Sequence, residues 1–376
     1  MTRACLAVAL AACVLVPAEG IALQDAAVNV WVNLEKARGY LEAAGEAGFS
    51  GVVLIGRADS VVLEEAYGFA EIEHRIPMRT DHRFRIGSLT KPITASAVLV
   101  AVDRGLLSLE TRPCDLIPSC PPSWAEVTAR NLLTHTSGIA DHFGDLESVP
   151  VEATFEELRR VLDSLPAEEP LRTHPGAEYA YSNFNYVLLG ALLERVGEAP
   201  WERILHDWVF EPLGLATMAY DDVYAIVEDR VRGYEREESG GLRNIDYDDH
   251  AAYAAGGLLS TARDLFRWSR GMLKGELFGS GLVEESLTPF RGNYGYGWQV
   301  RRFFDRTIHN HSGGIDGFSS HLAHYPDADL TIVVLSNVEN DLAILRACDV
   351  AARLFDWPAV SVPSEPALPP RQRCGL

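Results

Sequence analysis

The sequence predicts an α+β fold, in which an antiparallel sheet flanked by helices is formed from both chain ends and an all-helical region is inserted between them. Three observations support this prediction. β-Prone runs lie near residue 55, further β-prone runs lie between residues 296 and 335, and the stretch between them has helical patterns. Strands at both ends with helices in the middle favour one large unit of two regions.

The first part of the predicted sheet region comprises residues 26–86. Apolar side chains recur with a helical period over residues 29–47, and Gly48 follows as a stop signal. Residues 51–55 and 61–63 are β-prone runs separated by a polar, Gly-containing stretch. This pattern predicts one amphipathic helix followed by a hairpin.

The second part of the predicted sheet region comprises residues 290–358. It contains three predicted strands and a final helix, at residues 296–300, 319–325, 330–335 and 341–355. A Pro- and Asp-containing turn at residues 326–329 joins the last two strands. Residues 87–289 form the predicted helical region, and a Pro-rich tail follows over residues 359–376.

The composition excludes several classes of protein. With 47% hydrophobic and 23% charged residues among 376, the chain is neither collagenous nor a coiled coil nor wholly disordered. The 53 acidic residues outnumber the 33 basic ones, and the formal net charge of -20 repels polyphosphate, so we expect no nucleic-acid partner. Only Lys36, Lys91 and Lys274 are lysines, so a lysine within a motif suggests a chemical reason for its presence.

Residues 1–22 have the pattern of a secretory signal peptide. A basic start is followed by an apolar stretch over residues 4–16 and by small residues at 20–22. The apolar run is shorter than the roughly 20 residues that span a bilayer, so we expect no membrane span. We therefore expect an exported protein, periplasmic or secreted. The alternative is a lipoprotein acylated on Cys13, since residues 10–13 also resemble a lipoprotein signal.

Four cysteines lie outside the predicted signal peptide, and export would bring them into an oxidising compartment. Cys114 and Cys120 flank a short loop and are the natural local pair among the three possible pairings. This choice leaves Cys348 and Cys374, whose pairing stays open. Neither pair has the C-x2-C spacing of a structural zinc site, so we expect no metal there.

Ser88 and Lys91 form an S-x-x-K motif ahead of an apolar run over residues 93–102. At a helix start the i,i+3 spacing places the hydroxyl and the amine on one face. A buried lysine can lose its proton, whereas an arginine cannot, and a helix N-terminus favours a developing anion. The motif therefore predicts a nucleophilic serine. The alternative is a capping serine followed by an exposed lysine.

Tyr181 and Asn183 flank Ser182 ahead of an apolar helix that is expected to begin near Tyr186. In an extended segment the side chains of Tyr181 and Asn183 point the same way. A phenol near an ammonium can shuttle protons, and an amide can both donate to and accept from a substrate amide. The alternative is an aromatic residue that only packs before a helix.

A third motif, at residues 311–314, precedes an expected strand. It reads His-Ser-Gly-Gly, and paired glycines let a backbone N–H approach a substrate oxygen closely. No carboxylate or cysteine spacing completes a recognised ligand set with the histidines nearby, so we expect no metal site. These histidines are His309, His311, His321 and His324.

In this order, the three motifs resemble the signature of penicillin-recognising serine hydrolases: S-x-x-K, Y-x-N and a K/H-x-G strand motif. Y-x-N in place of S-D-N is similar to the branch with class C β-lactamases and DD-carboxypeptidases. Residues 132–138, 256–264 and 296–298 also match patterns of that family. The resemblance covers most of the mature chain and implies a β-lactamase/DD-peptidase-like fold with a groove between the sheet and the helical region.

Carried over motif by motif, the resemblance implies that Ser88 is the acylated nucleophile, Lys91 its general base and Tyr181 the proton shuttle. It implies no cofactor. His135 is expected to be structural, because its family context is a loop beside the helical region. The implied substrate contacts are Asn183, His311 and Gly313, and the implied oxyanion hole is formed by the backbone N–H groups of Ser88 and Gly314.

His311 departs from true β-lactamases of this branch, which usually carry lysine there. Related carboxypeptidases, D-aminopeptidases and esterases often have histidine. We therefore expect an exported serine hydrolase that acts through an acyl-enzyme on a small molecule or short peptide. A D-amino-acid peptide, a β-lactam-like compound and a small ester are the candidate substrates, with carboxypeptidase or esterase activity favoured over that of a true β-lactamase. The alternative is a noncatalytic penicillin-binding or sensory protein.

The charge of His311 is expected to depend on pH. An unperturbed histidine is mostly neutral at pH 7 and gains its charge near pH 6. If His311 faces a substrate carboxylate, a lower pH should therefore favour carboxylated substrates over neutral esters. The alternative is that His311 only hydrogen-bonds within the groove, and selectivity then does not change with pH.

Overall fold

The computed structural model describes residues 33–143, 155–166, 168–222, 224–237, 239–245, 252–304, 306–339 and 343–357. The predicted signal peptide and the predicted Pro-rich tail lie outside the described residues.

The strands are grouped in one large and several small sheets. In chain order they are β1 (Gly51–Arg57), β2 (Ser60–Tyr67), β3 (Phe69–Glu71), β4 (Ile76–Pro77), β5 (Phe84–Arg85), β6 (Ala219–Tyr220), β7 (Tyr234–Arg236), β8 (Leu242–Asn244), β9 (Leu258–Ser260), β10 (Gln299–Phe303), β11 (Arg306–Ile315), β12 (Phe318–Tyr325) and β13 (Leu330–Ser336).

The helices lie at both ends of the chain and between the two halves of the large sheet. In chain order they are α1 (33–46), α2 (Thr90–Asp103), α3 (Ala129–Leu133), α4 (Phe155–Ser164), α5 (Asn183–Gly197), α6 (Trp201–Leu205), α7 (Glu211–Leu213), α8 (Tyr253–Gly256), α9 (Ala262–Leu273), α10 (Ser280–Ser286) and α11 (Ala343–Leu354). In the described part of the chain, none of them combines the length and apolarity that crossing a bilayer requires.

The large sheet is antiparallel and contains strands from both chain ends, as the sequence predicts. Its six strands lie in the order β10-β11-β12-β13-β1-β2. The two ends of the chain meet where β1 pairs with β13, from Gly51 opposite Ser336 to Arg57 opposite Leu330. The α+β fold class is thereby confirmed.

Both faces of β1 are buried, which explains why this strand is apolar at successive positions. Side chains alternate between the faces of a strand. Val52 and Leu54 belong to the core shared with the helical region, whereas Val53 and Ile55 pack with side chains of α1 and α11. A strand covered on both faces has a continuous apolar sequence rather than an alternating one.

Several element boundaries differ from those expected. Only Ala58 and Asp59 connect β1 and β2, so the polar stretch between the two β-prone runs lies partly within the strands. β10 begins at Gln299 rather than near residue 296, because Gly297 adopts a positive φ of 80° that ends an extended run. The motif that begins at His311 lies inside β11 rather than before a strand.

The region inserted between the halves of the sheet is mainly helical, but it also contains short strands that the sequence analysis did not predict. β9 pairs with β5 on one side and with β6 on the other. This small sheet connects the chain just before Ser88 to the segment after α8. Backbone hydrogen bonds therefore tie the segment just before Ser88 to residues near the end of the inserted region.

The structure contains a disulfide between Cys114 and Cys120, whose Cα atoms are 5.1 Å apart. It closes the loop that follows the 3₁₀ turn Pro113–Asp115. Cys348 lies on α11, whereas Cys374 lies outside the described residues.

Candidate active site

Ser88 lies on the 3₁₀ turn Gly87–Leu89, which joins β5 to α2. α2 begins at Thr90, so Lys91 falls in its first turn, three residues after the serine. The helix is apolar on all sides and is buried through most of its length, and the lysine side chain is 0% exposed. The serine is half-buried, at the edge of the groove.

The Lys91 amine has three hydrogen-bond partners. Its Nζ lies 2.9 Å from Oγ of Ser88, 2.8 Å from Oδ1 of Asn183 and 2.8 Å from the carbonyl oxygen of Ala255. These partners come from the turn before α2, from the start of α5 and from α8. The S-x-x-K and Y-x-N motifs therefore meet at one nitrogen atom.

Burial lowers the pKa of Lys91 from its ordinary value to about 7, and the negative charge of Asp141 partly opposes this effect. A neutral amine has two N–H donors and one lone pair. The carbonyl oxygen of Ala255 and the side-chain oxygen of Asn183 only accept, so they engage the two donors. The lone pair is then left for the hydroxyl proton of Ser88, the arrangement that a general base requires.

Tyr181 completes the group around the serine. The Lys91 Nζ lies 5.0 Å from the centroid of its ring, and the Ser88 side chain is near enough to lower the pKa of the Tyr181 phenol. Burial raises the pKa of Tyr181 well above its ordinary value, although the nearby Ser88 side chain acts in the opposite direction. The phenol is therefore protonated at neutral pH, and 38% of the residue is exposed to the groove.

Asn183 is the first residue of α5, which begins three residues earlier than the sequence analysis expected. The helix start places the Asn183 amide in the first turn, where its oxygen contacts Lys91. The amide is half-buried, so one side of it remains open to the groove.

β11 lies against the turn that carries Ser88. β10 pairs with one side of β11 as far as Asn310, and β12 pairs with the other side from His309 to Ile315. A Cβ on Gly313 would lie 2.0 Å from the carbonyl oxygen of Ile86. Only glycine allows the strand to approach the segment before Ser88 this closely.

His311 is neutral in this fold. Its Nε2 lies 2.9 Å from the Tyr294 hydroxyl and its Nδ1 lies 2.7 Å from the carbonyl oxygen of Ser312. Because a carbonyl only accepts, we assign the proton to Nδ1, and Nε2 accepts from Tyr294. The residue is 2% exposed, and burial lowers its pKa to about 3. The expectation that His311 becomes charged near pH 6 is therefore wrong, because water cannot solvate the cation.

His135 lies beneath the site. It is buried with a φ of 54°, and its Nδ1 accepts the backbone N–H of Ser182 at 3.2 Å. Its ring centroid lies 4.4 Å from that of Tyr181 and 4.8 Å from that of Tyr294. Burial holds the pKa of His135 well below its ordinary value. The histidine therefore supports the Tyr181 ring as a neutral packing group.

Two of the remaining histidines of the sheet, His321 and His324, are hydrogen-bonded to hydroxyls of neighbouring strands. His321 Nδ1 lies 2.8 Å from Oγ of Ser312, and His324 Nδ1 lies 3.0 Å from Oγ1 of Thr331. Within the described ranges, the side chains that could hold a metal ion gather elsewhere, on the segment that follows α6. They are His206, Asp207 and Glu211.

Sequence reasoning missed three members of the site, and each lies beside a stretch that it had singled out. Ala255 precedes the stretch 256–264 by one residue, Tyr294 precedes 296–298 by two, and Asp141 follows 132–138 by three. Proximity to those stretches is the signal that could have drawn attention to them. A backbone carbonyl has no sequence signature of its own.

A serine and a buried lysine on one turn, a tyrosine beside them and an H-x-G strand at the groove edge are features of the penicillin-recognising serine hydrolases. The family model described as beta-lactamase matches residues 37–355, and the chain belongs to this family.

Several relatives are similar to this chain over most of its length. A penicillin-binding protein of Bacillus subtilis (strain 168) is 28% identical over 354 residues, which cover 85% of this chain and 75% of that protein. The D-aminopeptidase of Gluconobacter oxydans (strain 621H) is 27% identical over 361 residues, which cover 89% of this chain and 65% of that protein. The structure of a penicillin-binding protein from Bacillus halodurans is 26% identical, with a TM-score of 0.71 and coverage of 87% of this chain and 98% of that one. The family places the chain among hydrolases of amide and ester bonds.

Proposed function

We propose that this protein is an exported serine hydrolase that forms an acyl-enzyme at Ser88 and hydrolyses an amide or ester bond in a small molecule or short peptide. The observation that carries the proposal is the Lys91 amine, 0% exposed and 2.9 Å from Oγ of Ser88. Its two other partners accept hydrogen bonds, which leaves its lone pair for the serine proton.

Acylation follows from these positions. The neutral Lys91 amine takes the Ser88 hydroxyl proton as Oγ attacks the substrate carbonyl carbon. The carbonyl oxygen gains the electron pair, and the backbone N–H groups of Ser88 and Gly314 are proposed to stabilise it. When the bond to the leaving group breaks, Tyr181 gives that group a proton and regains one from the Lys91 ammonium. The serine is then esterified, and the leaving amine or alcohol departs.

Deacylation repeats the chemistry with water in place of the serine. A water molecule attacks the ester carbon and transfers a proton to the Lys91–Tyr181 pair, and that proton returns to Ser88 Oγ as the acid leaves. The phenol suits this shuttle because burial keeps it protonated at neutral pH and its ring lies beside the Lys91 amine.

The neutral His311 bears on the substrate class. A lysine at this position would offer a cation to a substrate carboxylate, whereas the His311 ring is buried and engaged by Tyr294. This supports a peptidase or esterase in preference to a true β-lactamase. The relatives named a penicillin-binding protein and a D-aminopeptidase make a peptide with a D-residue the first amide to test.

Export is supported by the signal-like pattern of residues 1–22 and by the disulfide between Cys114 and Cys120. Cell fractionation with mass mapping of nonreduced peptides tests this part of the proposal. We expect processed protein outside the cytoplasm with Cys114 bonded to Cys120. Cytoplasmic protein with both thiols free would contradict it.

A substrate panel tests the activity itself. The panel comprises a D-Ala-D-Ala peptide, nitrocefin and a short-chain nitrophenyl ester, with Ser88→Ala compared against Ser96→Ala. Ser96 is a matched control, because its buried hydroxyl donates to the Pro92 carbonyl further along the same helix. We expect turnover of the ester or peptide by the wild type and Ser96→Ala, and none by Ser88→Ala. A protein that becomes acylated by one of these compounds and never releases the acyl group would instead be a noncatalytic sensor.

A further inference from the structure

We propose that Asp141 is a positioning residue of this site: its carboxylate fixes the segment that carries Tyr181 and Asn183 and acts as the counter-charge of the Lys91 amine. The inference rests on the proposed function, because it concerns the same serine and lysine. Neither the motifs nor the proposed mechanism assigns a role to Asp141.

The carboxylate of Asp141 holds the start of α5. Its Oδ1 accepts the backbone N–H of Phe184 at 3.0 Å and the hydroxyl of Ser182 at 3.3 Å, and its Oδ2 accepts the backbone N–H of Asn183 at 3.3 Å. The N-cap residue Ser182 makes no side-chain capping bond of its own. A residue about forty positions earlier in the chain therefore supplies the cap that the first turn needs.

The loop that leads to Asp141 holds the same segment at other points. The carbonyl of His135 accepts the N–H of Ala180 at 2.9 Å, and the hydroxyl of Ser137 donates to Oδ1 of Asn185 at 2.8 Å. Asn183 lies between these attachments, and its oxygen is 2.8 Å from Nζ of Lys91. Because Asp141 bonds to the backbone N–H of Asn183 itself, its removal should loosen the part of the segment nearest the lysine.

Asp141 is also the charged neighbour of Lys91. Among the residues that the structure describes, the other groups that face the amine are neutral at neutral pH: burial raises the pKa values of Tyr181 and Tyr186 and lowers those of His135 and His311, while Ser88 and Asn183 carry no charge. The Asp141 carboxylate favours the ammonium form and raises the pKa of Lys91, against the effect of burial. Asp141 is exposed, so solvent screens its field and the effect should be modest.

The test measures the protonation of Lys91 directly. The chain has only three lysines, so ¹³C,¹⁵N-lysine labelling gives three side-chain signals, and Lys91→Arg identifies the one of interest. Lys36 and Lys274 lie at the surface, paired with Asp356 and Asp59. We expect the Lys91 signal to titrate near pH 7 in the wild type and at a lower pH in Asp141→Asn, by about 0.3 units or more.

Asp103→Asn is the matched control. The Asp103 carboxylate also holds the start of a helix from a distant part of the chain, since its Oδ1 accepts the N–H of Gly279 at 3.1 Å ahead of α10. It lies at the far end of α2, about 18 Å from Lys91 at 1.5 Å per residue. An unshifted Lys91 titration in Asp141→Asn, or an equal shift in Asp103→Asn, would overturn the proposal.

The rate of Ser88 acylation by a nitrophenyl ester gives a second readout. The acylation rate follows the deprotonated fraction of Lys91. If the pKa of Lys91 is about 0.3 lower in Asp141→Asn, the ratio of the variant rate to the wild-type rate should be about twofold higher at pH 6 than at pH 8. Asp141→Ala, which also removes the cap, should lose about tenfold at high pH. A variant that only weakens the fold would give the same ratio of variant to wild-type rates at pH 6 and at pH 8. If wild type and Ser88→Ala react alike, the proposed function fails, and the lysine titration still decides the role of Asp141.

Discussion

Gly87 and Gly314 meet across the groove so closely that a Cβ on Gly87 would lie 2.9 Å from the carbonyl oxygen of Gly314. Gly87 also has a φ of 50°, which L-residues rarely adopt. The turn that carries Ser88 can lie this close to β11 because Gly87 has no side chain, whereas a Cβ added to Gly314 would meet nothing within 4 Å. This contact sets the distance between Ser88 and Gly314, whose N–H groups form the proposed oxyanion hole.

Gly87→Ala should therefore reduce both stability and catalysis. The left-handed conformation alone costs roughly 1–2 kcal/mol for an L-residue, and displacement of the turn should lower kcat/KM by about 100-fold. Urea unfolding and ester hydrolysis measure the two effects. Gly281→Ala on α10 is the control, since no atom lies within 4 Å of its added Cβ, and it should keep wild-type activity. Wild-type kcat/KM in a folded Gly87→Ala would contradict this account of the groove.

The activity should depend on the protonation of Lys91. Because only the neutral amine can accept the Ser88 proton, kcat/KM should fall as the pH drops through about 7. Lys91→Arg should abolish turnover and leave the fold intact, since the guanidinium stays protonated. Ser88 and Lys91 act as one unit, so the double variant should be little worse than either single one. A pH–rate profile that stays flat from pH 8 down to 5 would argue against a lysine base.

Substrate selectivity should not change with pH through His311. Its pKa of about 3 keeps the ring neutral throughout the assay range. We expect the ratio of kcat/KM for a carboxylated and a neutral substrate to be constant between about pH 5.5 and 8, on either side of the ordinary histidine value. His311→Gln, which is neutral at every pH, should give an equally flat ratio. A ratio that rises towards pH 5.5 in the wild type and not in His311→Gln would show that the ring gains charge in the groove.

Buried neutral histidines should make the fold sensitive to acid. The pKa of His321 is about 3 in the fold and 6.5 ordinarily, so below pH 6.5 the unfolded chain binds a proton that the folded chain does not. The free energy of unfolding therefore decreases as pH falls from 6.5 towards 3, by about 1.4 kcal/mol per pH unit for this residue. His321→Gln should make the slope shallower by that amount in urea titrations. Replacement of the exposed His74, as a control, should change the slope less, and equal slopes in the two variants would refute the prediction.

The sheet could be predicted from the sequence because its signals are local. Residues 51–55 are apolar without interruption, and the structure buries both faces of β1. Clear turn residues lie between the two strands of the hairpin and between the last two strands of the sheet. β6 to β9 were missed because each has only two or three residues, too few to show a period of two. β9 is held by pairing partners far away in the chain, such as Arg85 opposite Leu259, whereas β7 and β8 pair with each other.

The motifs allowed the arrangement of the site residues to be predicted, but not their charges. The spacing of Ser88 and Lys91 indicated a shared face of a turn, and the structure places their side chains 2.9 Å apart. The charge state of His311 depends on burial and on Tyr294, which is 17 positions away, and neither can be inferred from the motif. The cap supplied by Asp141 depends on how a loop folds over α5, which local propensity does not specify.

Covalent trapping of the nucleophile tests the central claim most directly. The protein is incubated with a fluorophosphonate, its intact mass is recorded, and the modified peptide is sequenced, with Ser88→Ala and Ser96→Ala treated in parallel. The account predicts a single adduct on Ser88 in the wild type and in Ser96→Ala, and none in Ser88→Ala. An adduct of equal yield in folded Ser88→Ala, or a modified residue other than Ser88 in the wild type, would contradict it.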